Sequence, residues 1–196
     1  MLAAVAPASA QNTDIGELTP TIGFRAGGGL DNADTGETYA IEPSLSWGFV
    51  AGISLGRPNL IVEATYLQQS TRASTENPFA GGDGTLHGLR LQTVLAGVQW
   101  DFSPEARVHP LVSAAVGATF LEAQGGGATT SFTASLSGGV KLMVTRSVGA
   151  RFQLRALALF SGGSLDGLCQ WSYCSVGLTG WGTLQADVSV GTLFAF

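Results

Sequence analysis

Long apolar runs are missing from this 196-residue chain: nowhere does it stay apolar for the roughly 18 consecutive residues that a membrane-crossing helix needs. Entry into a bilayer would therefore have to be made with strands, because a closed barrel is the other structure that satisfies every backbone N–H and C=O in hydrocarbon. Charge is scarce as well. Only 12% of residues carry it, nine Lys and Arg stand against fourteen acids, and the net charge is −5. No basic cluster occurs, which excludes the phosphate-tracking groove of a nucleic-acid binder. Histidine and cysteine number two each. Cys169 and Cys174 have no flanking His or acid, so they fall short of the usual four metal ligands, and no metal or cofactor is expected.

What is present is apolar and turn-rich, with 45% hydrophobic residues and 28 glycines in a length suited to one domain. Residues 1–10, MLAAVAPASA, end in Ala8-Ser9-Ala10, a pattern like that before a signal-peptidase cut. They are read as the remnant of a signal peptide, leaving residues 11–196 as the folded unit. An exported chain meets an oxidising compartment, where Cys169 and Cys174 are expected to form a local disulfide.

The signal along the chain has period two. From Ile41 to Ile53 the odd positions are Ile41, Pro43, Leu45, Trp47, Phe49, Ala51 and Ile53, and the even ones are small or polar. The alternation returns in Phe132 to Thr145, in Val148 to Phe160 and in Leu184 to Phe196. Weaker strands run from about Thr19 to Gly29, Leu60 to Gln69, Leu86 to Phe102 and Val108 to Ala123, so that eight are predicted. Several exceed the five or six residues usual in soluble sheets and suit a tilted membrane strand. Tight turns at Gly56 to Asn59, Ser103 to Arg107 and Thr145 to Ser147 alternate with connections that are mostly longer, the asymmetry of short periplasmic turns and longer extracellular loops.

Charges decide which face meets lipid. Arg25, Glu42, Glu63, Lys141, Arg151, Arg155 and Asp187 fall on the polar side of strands that are apolar on the other. Facing lipid near the midplane, an Arg or Lys would cost about 2 to 4 kcal/mol, whereas in a lumen it can pair with acids. A lumenal network is expected in which Arg25, Lys141, Arg151 and Arg155 are neutralised by Glu42, Glu63 and Asp187. Trp47, Phe49, Tyr66, Trp100, Phe102 and Phe120 lie on the apolar faces, as interfacial girdles require. Arg90 shares a parity with Val94 and Trp100 and is expected above the membrane.

The segment Ala186 to Phe196, alternating hydrophobics that end in Phe, resembles the C-terminal strand of bacterial outer-membrane proteins. The chain from about residue 15 to 196 is similar in pattern to the small eight-stranded class that includes the OmpA transmembrane domain and OmpX. The resemblance implies an all-β, antiparallel, up-and-down transmembrane barrel in the outer membrane. It further implies that Val190, Phe194 and Phe196 form the edge read by the barrel assembly machinery.

The function expected is structural or surface-interacting, with extracellular loops that touch a partner or lipopolysaccharide and a monomer embedded in membrane lipids. A small pore is the alternative, although eight strands enclose an interior that side chains fill. A lipid-modifying enzyme is a third reading. His87, near the outer end of the fourth strand, is the histidine placed to serve it as general base, and His109 sits beside a periplasmic turn. No serine lies next to His87, and no enzyme is expected.

Overall fold

The computed structural model describes residues 16–31, 38–57, 59–75, 85–104, 106–123, 128–161, 164–166, 175–177 and 180–196. All the regular structure among these residues is strand: β1 (Gly16–Ala26), β2 (Gly29–Asp31), β3 (Thr38–Ile41), β4 (Ser44–Ser54), β5 (Leu60–Thr75), β6 (Thr85–Asp101), β7 (Val108–Ala123), β8 (Ala128–Met143), β9 (Val148–Ser161), β10 (Ser164–Asp166), β11 (Ser175–Gly177) and β12 (Gly180–Ala195). Eight of them are long and pair with their sequence neighbours, all antiparallel, while β12 closes on β1. Closure leaves no unpaired edge, the condition for crossing hydrocarbon with strands.

The ladder is staggered. From Gly16 the paired residues run through Ile53, Val62, Val98, Ala114, Leu136, Ala156 and Ala186, returning to β1 at Ala26, ten residues on. Such a stagger forces the strands to tilt, by about 35 to 45° in barrels of this kind.

Two predicted strands are interrupted, each for a local reason. Gly27 and Gly28 take φ of 88° and 106°, a region that side chains with a Cβ rarely enter, so β1 stops at Ala26 instead of reaching Gly29. The predicted strand Ile41 to Ile53 breaks at Glu42-Pro43, where proline offers no N–H to the ladder. The break also reverses phase. Ile41, expected on the outer face with Leu45, is buried inside, while Leu45 is exposed. At the other extreme β8 begins at Ala128, so only residues 124–127 join it to β7.

The short turns hold by their own bonds. Leu60 N–H and Ser54 Oγ–H both donate to the Arg57 carbonyl, each at 3.1 Å. Val148 N–H donates to Thr145 Oγ1 at 3.0 Å.

Burial runs opposite to that of a soluble protein. Leu45 and Leu136 are 67% and 66% exposed on the outer surface, whereas Arg151 and Asp187 are 1% and 0% exposed inside. Leaving so many large apolar side chains in water would be unfavourable, so the outer surface is a lipid-facing surface. Aromatic clusters sit on it: Tyr66 stacks on Phe49 with centroids 5.5 Å apart and meets Trp47 edge-on at 6.0 Å, and Phe132 lies 6.0 Å from Phe160. Trp100, Phe102, Phe194 and Phe196 are exposed at the end bearing the short turns. Val190 also faces outward, so the three residues of the assembly pattern form one apolar stripe on β12.

Candidate functional site

The interior holds two charged layers. Nearer the short turns, Lys141 of β8 and Arg151 of β9 are directly paired in the ladder and point inward. Lys141 Nζ reaches Glu17 Oε2 at 2.6 Å and Asp101 Oδ2 at 3.0 Å. Arg151 reaches Glu63 Oε2 at 3.1 Å and Glu17 Oε1 at 3.4 Å. Neutral groups complete the layer. Ser113 Oγ donates to Glu63 Oε1 at 2.8 Å, Gln99 Nε2 to Asp101 Oδ1 at 2.6 Å, Arg151 Nε to Gln153 Oε1 at 3.1 Å and Gln153 Nε2 to Ser137 Oγ at 2.6 Å. Five strands and β1 are thereby tied across the lumen.

The second layer lies farther along the barrel. Arg25, Asp187 and Arg155 are ladder partners on three adjacent strands, so one carboxylate stands between two guanidinium groups. Asp187 Oδ2 accepts from Ser46 Oγ at 2.7 Å and lies 3.6 Å from Arg25 Nε, an ion pair without a hydrogen bond. Both terminal nitrogens of Arg155, Nε and Nη2 of Arg25 and Oδ1 of Asp187 are buried with no hydrogen-bond partner among the described residues.

Six of the seven expected network residues therefore face the lumen. Glu42 does not join them. It sits in the break before β4, half-buried, with its carbonyl accepting from Thr71 Oγ1 at 2.5 Å, and no ion pair links it to the six among the described residues. The acids that take its place are Glu17 and Asp101. Both share the inward parity of their strands, Glu17 with Thr19, Thr21 and Arg25, and Asp101 with Gln99 and Thr93. Parity alone could have found them, but each lies at the end of its strand, where a charge reads equally well as part of a turn.

The lumen is also less polar than expected. Leu95, Ala115, Leu157 and Leu159 form a buried apolar cluster inside. Beside it, Thr119 bonds to Thr93 at 3.0 Å and Thr133 at 2.7 Å, a hydroxyl ladder across three strands. Charge, hydroxyl and leucine together fill the interior.

Outside, Arg90 is exposed and opposite Glu122 in the ladder, near a recess of about 280 Å³ bounded also by Ser70 and Thr71. The recess falls just short of the volume of ordinary small-molecule pockets. His109 is half-buried, its Nε2 against the Ala106 carbonyl in a short turn. Residues 1–15, Cys169, Cys174 and the side chain of His87 lie outside the described residues.

Solved structures share this arrangement of strands. Neisserial surface protein A aligns with a TM-score of 0.60 and 16% identity over 94% of this chain and 98% of its own. OprG of Pseudomonas aeruginosa gives 0.59 and 10% over 93% and 96%. The outer membrane protein AlkL, determined in DMPC bilayers, gives 0.63 and 13% over 100% and 97%. The fold is that of the small eight-stranded outer-membrane barrels. No family model matches the chain, and no curated protein matches it in sequence. The filling of this barrel has three parts: a bonded charge layer toward the short turns, a looser arginine row beyond it and leucines beside that row.

Proposed function

We propose that the chain is an outer-membrane protein with a structural or surface-interaction role, its lumen closed by side chains and its longer connections forming the contact surface. The observation that carries this reading is the bonded layer of Lys141, Arg151, Glu17, Glu63 and Asp101, which lies across the path a solute would take. Short turns at one end and longer connections at the other support the orientation, with the turns periplasmic. Residues 1–10 direct export, the stripe Val190, Phe194 and Phe196 is read by the assembly machinery, and the monomer meets lipopolysaccharide and a surface partner. No catalytic role is assigned.

The test is conductance of the purified protein in planar bilayers. The expected result is a closed barrel with no sustained ion current. Steady single-channel openings in the unaltered protein would overturn the reading in favour of a small pore. A shift in lipid A mass on expression would favour an enzyme instead.

A further inference from the structure

The nine basic side chains are not spread evenly. Arg25, Lys141, Arg151 and Arg155 are in the lumen, and Arg72 and Arg90 lie on the outer face near the long connections. The remaining three fall one to each short turn: Arg57 between β4 and β5, Arg107 between β6 and β7, and Arg146 between β8 and β9. All three are exposed, and none is in an ion pair among the described residues. Glu105 is the one acid in those turns. At the opposite end the connecting segments 27–43, 76–84, 124–127 and 162–179 contain seven acids and no Lys or Arg.

The turn arginines also have a defined depth. Each follows an apolar side chain that projects to lipid at the end of its strand, Leu55, Phe102 and Val144. The turns are held by hydrogen bonds of their own and from neighbouring strands: the Arg57 carbonyl takes its two donors, the Arg107 carbonyl accepts from Met143 N–H of β8 at 2.8 Å, and Ser147 O accepts from Ala195 N–H of β12 at 2.9 Å. Three guanidinium groups with no ion pair among the described residues therefore stand on hydrogen-bonded turns just past the rim of the apolar belt, where lipid headgroups lie.

We propose that Arg57, Arg107 and Arg146 form a ring that binds the phosphodiester headgroups of anionic phospholipids in the leaflet at the short-turn end. A guanidinium presents paired N–H donors that match two phosphate oxygens, and it is weakly hydrated enough to work at an interface. Cations beside an anionic bilayer surface each favour association by about fivefold, and the effect falls away within a Debye length. The connecting segments at the other end carry acids and no Lys or Arg, so apart from Arg72 and Arg90 on the strands the exposed basic groups stand at the short-turn end. The inference needs the barrel to span a bilayer and is independent of its role at the cell surface.

Trp100 reports on this site, since it is exposed to lipid near the ring, whereas Trp47 is exposed on the opposite half of β4. The test uses the full chain with Phe at positions 47, 171 and 181, reconstituted in vesicles. Quenching of Trp100 by brominated phosphatidylglycerol is compared with quenching by brominated phosphatidylcholine. The expected relative association constant is several-fold in favour of phosphatidylglycerol at low salt, falling toward one in molar salt and in the R57Q/R107Q/R146Q protein. Lysine at the three positions is expected to keep part of the preference. A reporter that retains Trp47 instead of Trp100 is expected to show none. A ratio near one in the parent, or a preference untouched by the triple glutamine substitution, would overturn the ring. Failure of the parent to insert at all would overturn the membrane reading itself.

Discussion

Around Lys141 and Arg151 every charged side chain is bonded, and the layer holds three carboxylates to two cations. Around Arg155 and Arg25 one carboxylate serves two cations, and five polar atoms of the trio are left without a hydrogen bond among the described residues. The arginines of the two layers are equally buried, so their burial cannot account for the difference. What differs is the supply of acids and of short donors. The first layer draws on β1, β5 and β6 for its carboxylates and on Ser113 and Gln99 to orient them, whereas the second has Ser46 alone. A buried charge is tolerated when its partners are complete, and it is a burden when they are not.

The largest test of this comparison is Glu63→Leu. It removes the buried carboxylate that accepts from Arg151 Nη2 and Ser113 Oγ, and unfolding in detergent micelles should show a loss of about 3 to 5 kcal/mol. An unchanged melting temperature would mean the first layer is not a network. Next comes Thr119→Val, which strips the centre from the hydroxyl ladder and should cost about 1 to 3 kcal/mol by the same measurement. Coupling between Lys141 and Asp101 should appear as about 0.5 to 3 kcal/mol in a double-mutant cycle built on Lys141→Met and Asp101→Leu. The smallest effect is expected from Arg155→Met. It removes a charge that has no hydrogen bond while leaving Arg25 for Asp187, so stability should change by less than about 1 kcal/mol or rise. A loss comparable to that of Glu63→Leu would show that the second layer is as complete as the first.

Period-two patterning made the eight strands legible because an outward face of leucine and aromatic residues alternates with an inward face carrying the charges. Parity places a side chain inside or outside and says nothing about its height along the barrel. Arg25, Arg151 and Arg155 therefore read as one network, although four residues of β9 separate Arg151 from Arg155 and the strand register sets Arg25 level with Arg155. Glu42 was misplaced for a related reason. A proline after it broke the strand and shifted the phase, and parity counted from Leu45 does not carry across that break. Leucines in the lumen were the other surprise. Leu95 and Leu157 share the inward parity of Thr93 and Arg155, two residues away, yet as apolar side chains among apolar neighbours they carry no chemical mark of the inner face. Glu17 and Asp101 were hidden by their places at strand ends.

The seam between β1 and β12 has a consequence in time. Gly16 and Phe196 exchange backbone hydrogen bonds in both directions, each at 2.9 Å, so the strand made first and the strand made last are neighbours. The ring of ladder bonds cannot be completed until β12 exists, and every strand emerging before it waits with an open edge. Until β12 pairs, the open edges of the growing sheet can pair with strangers, and the last strand of the barrel both ends that hazard and fixes when folding can finish.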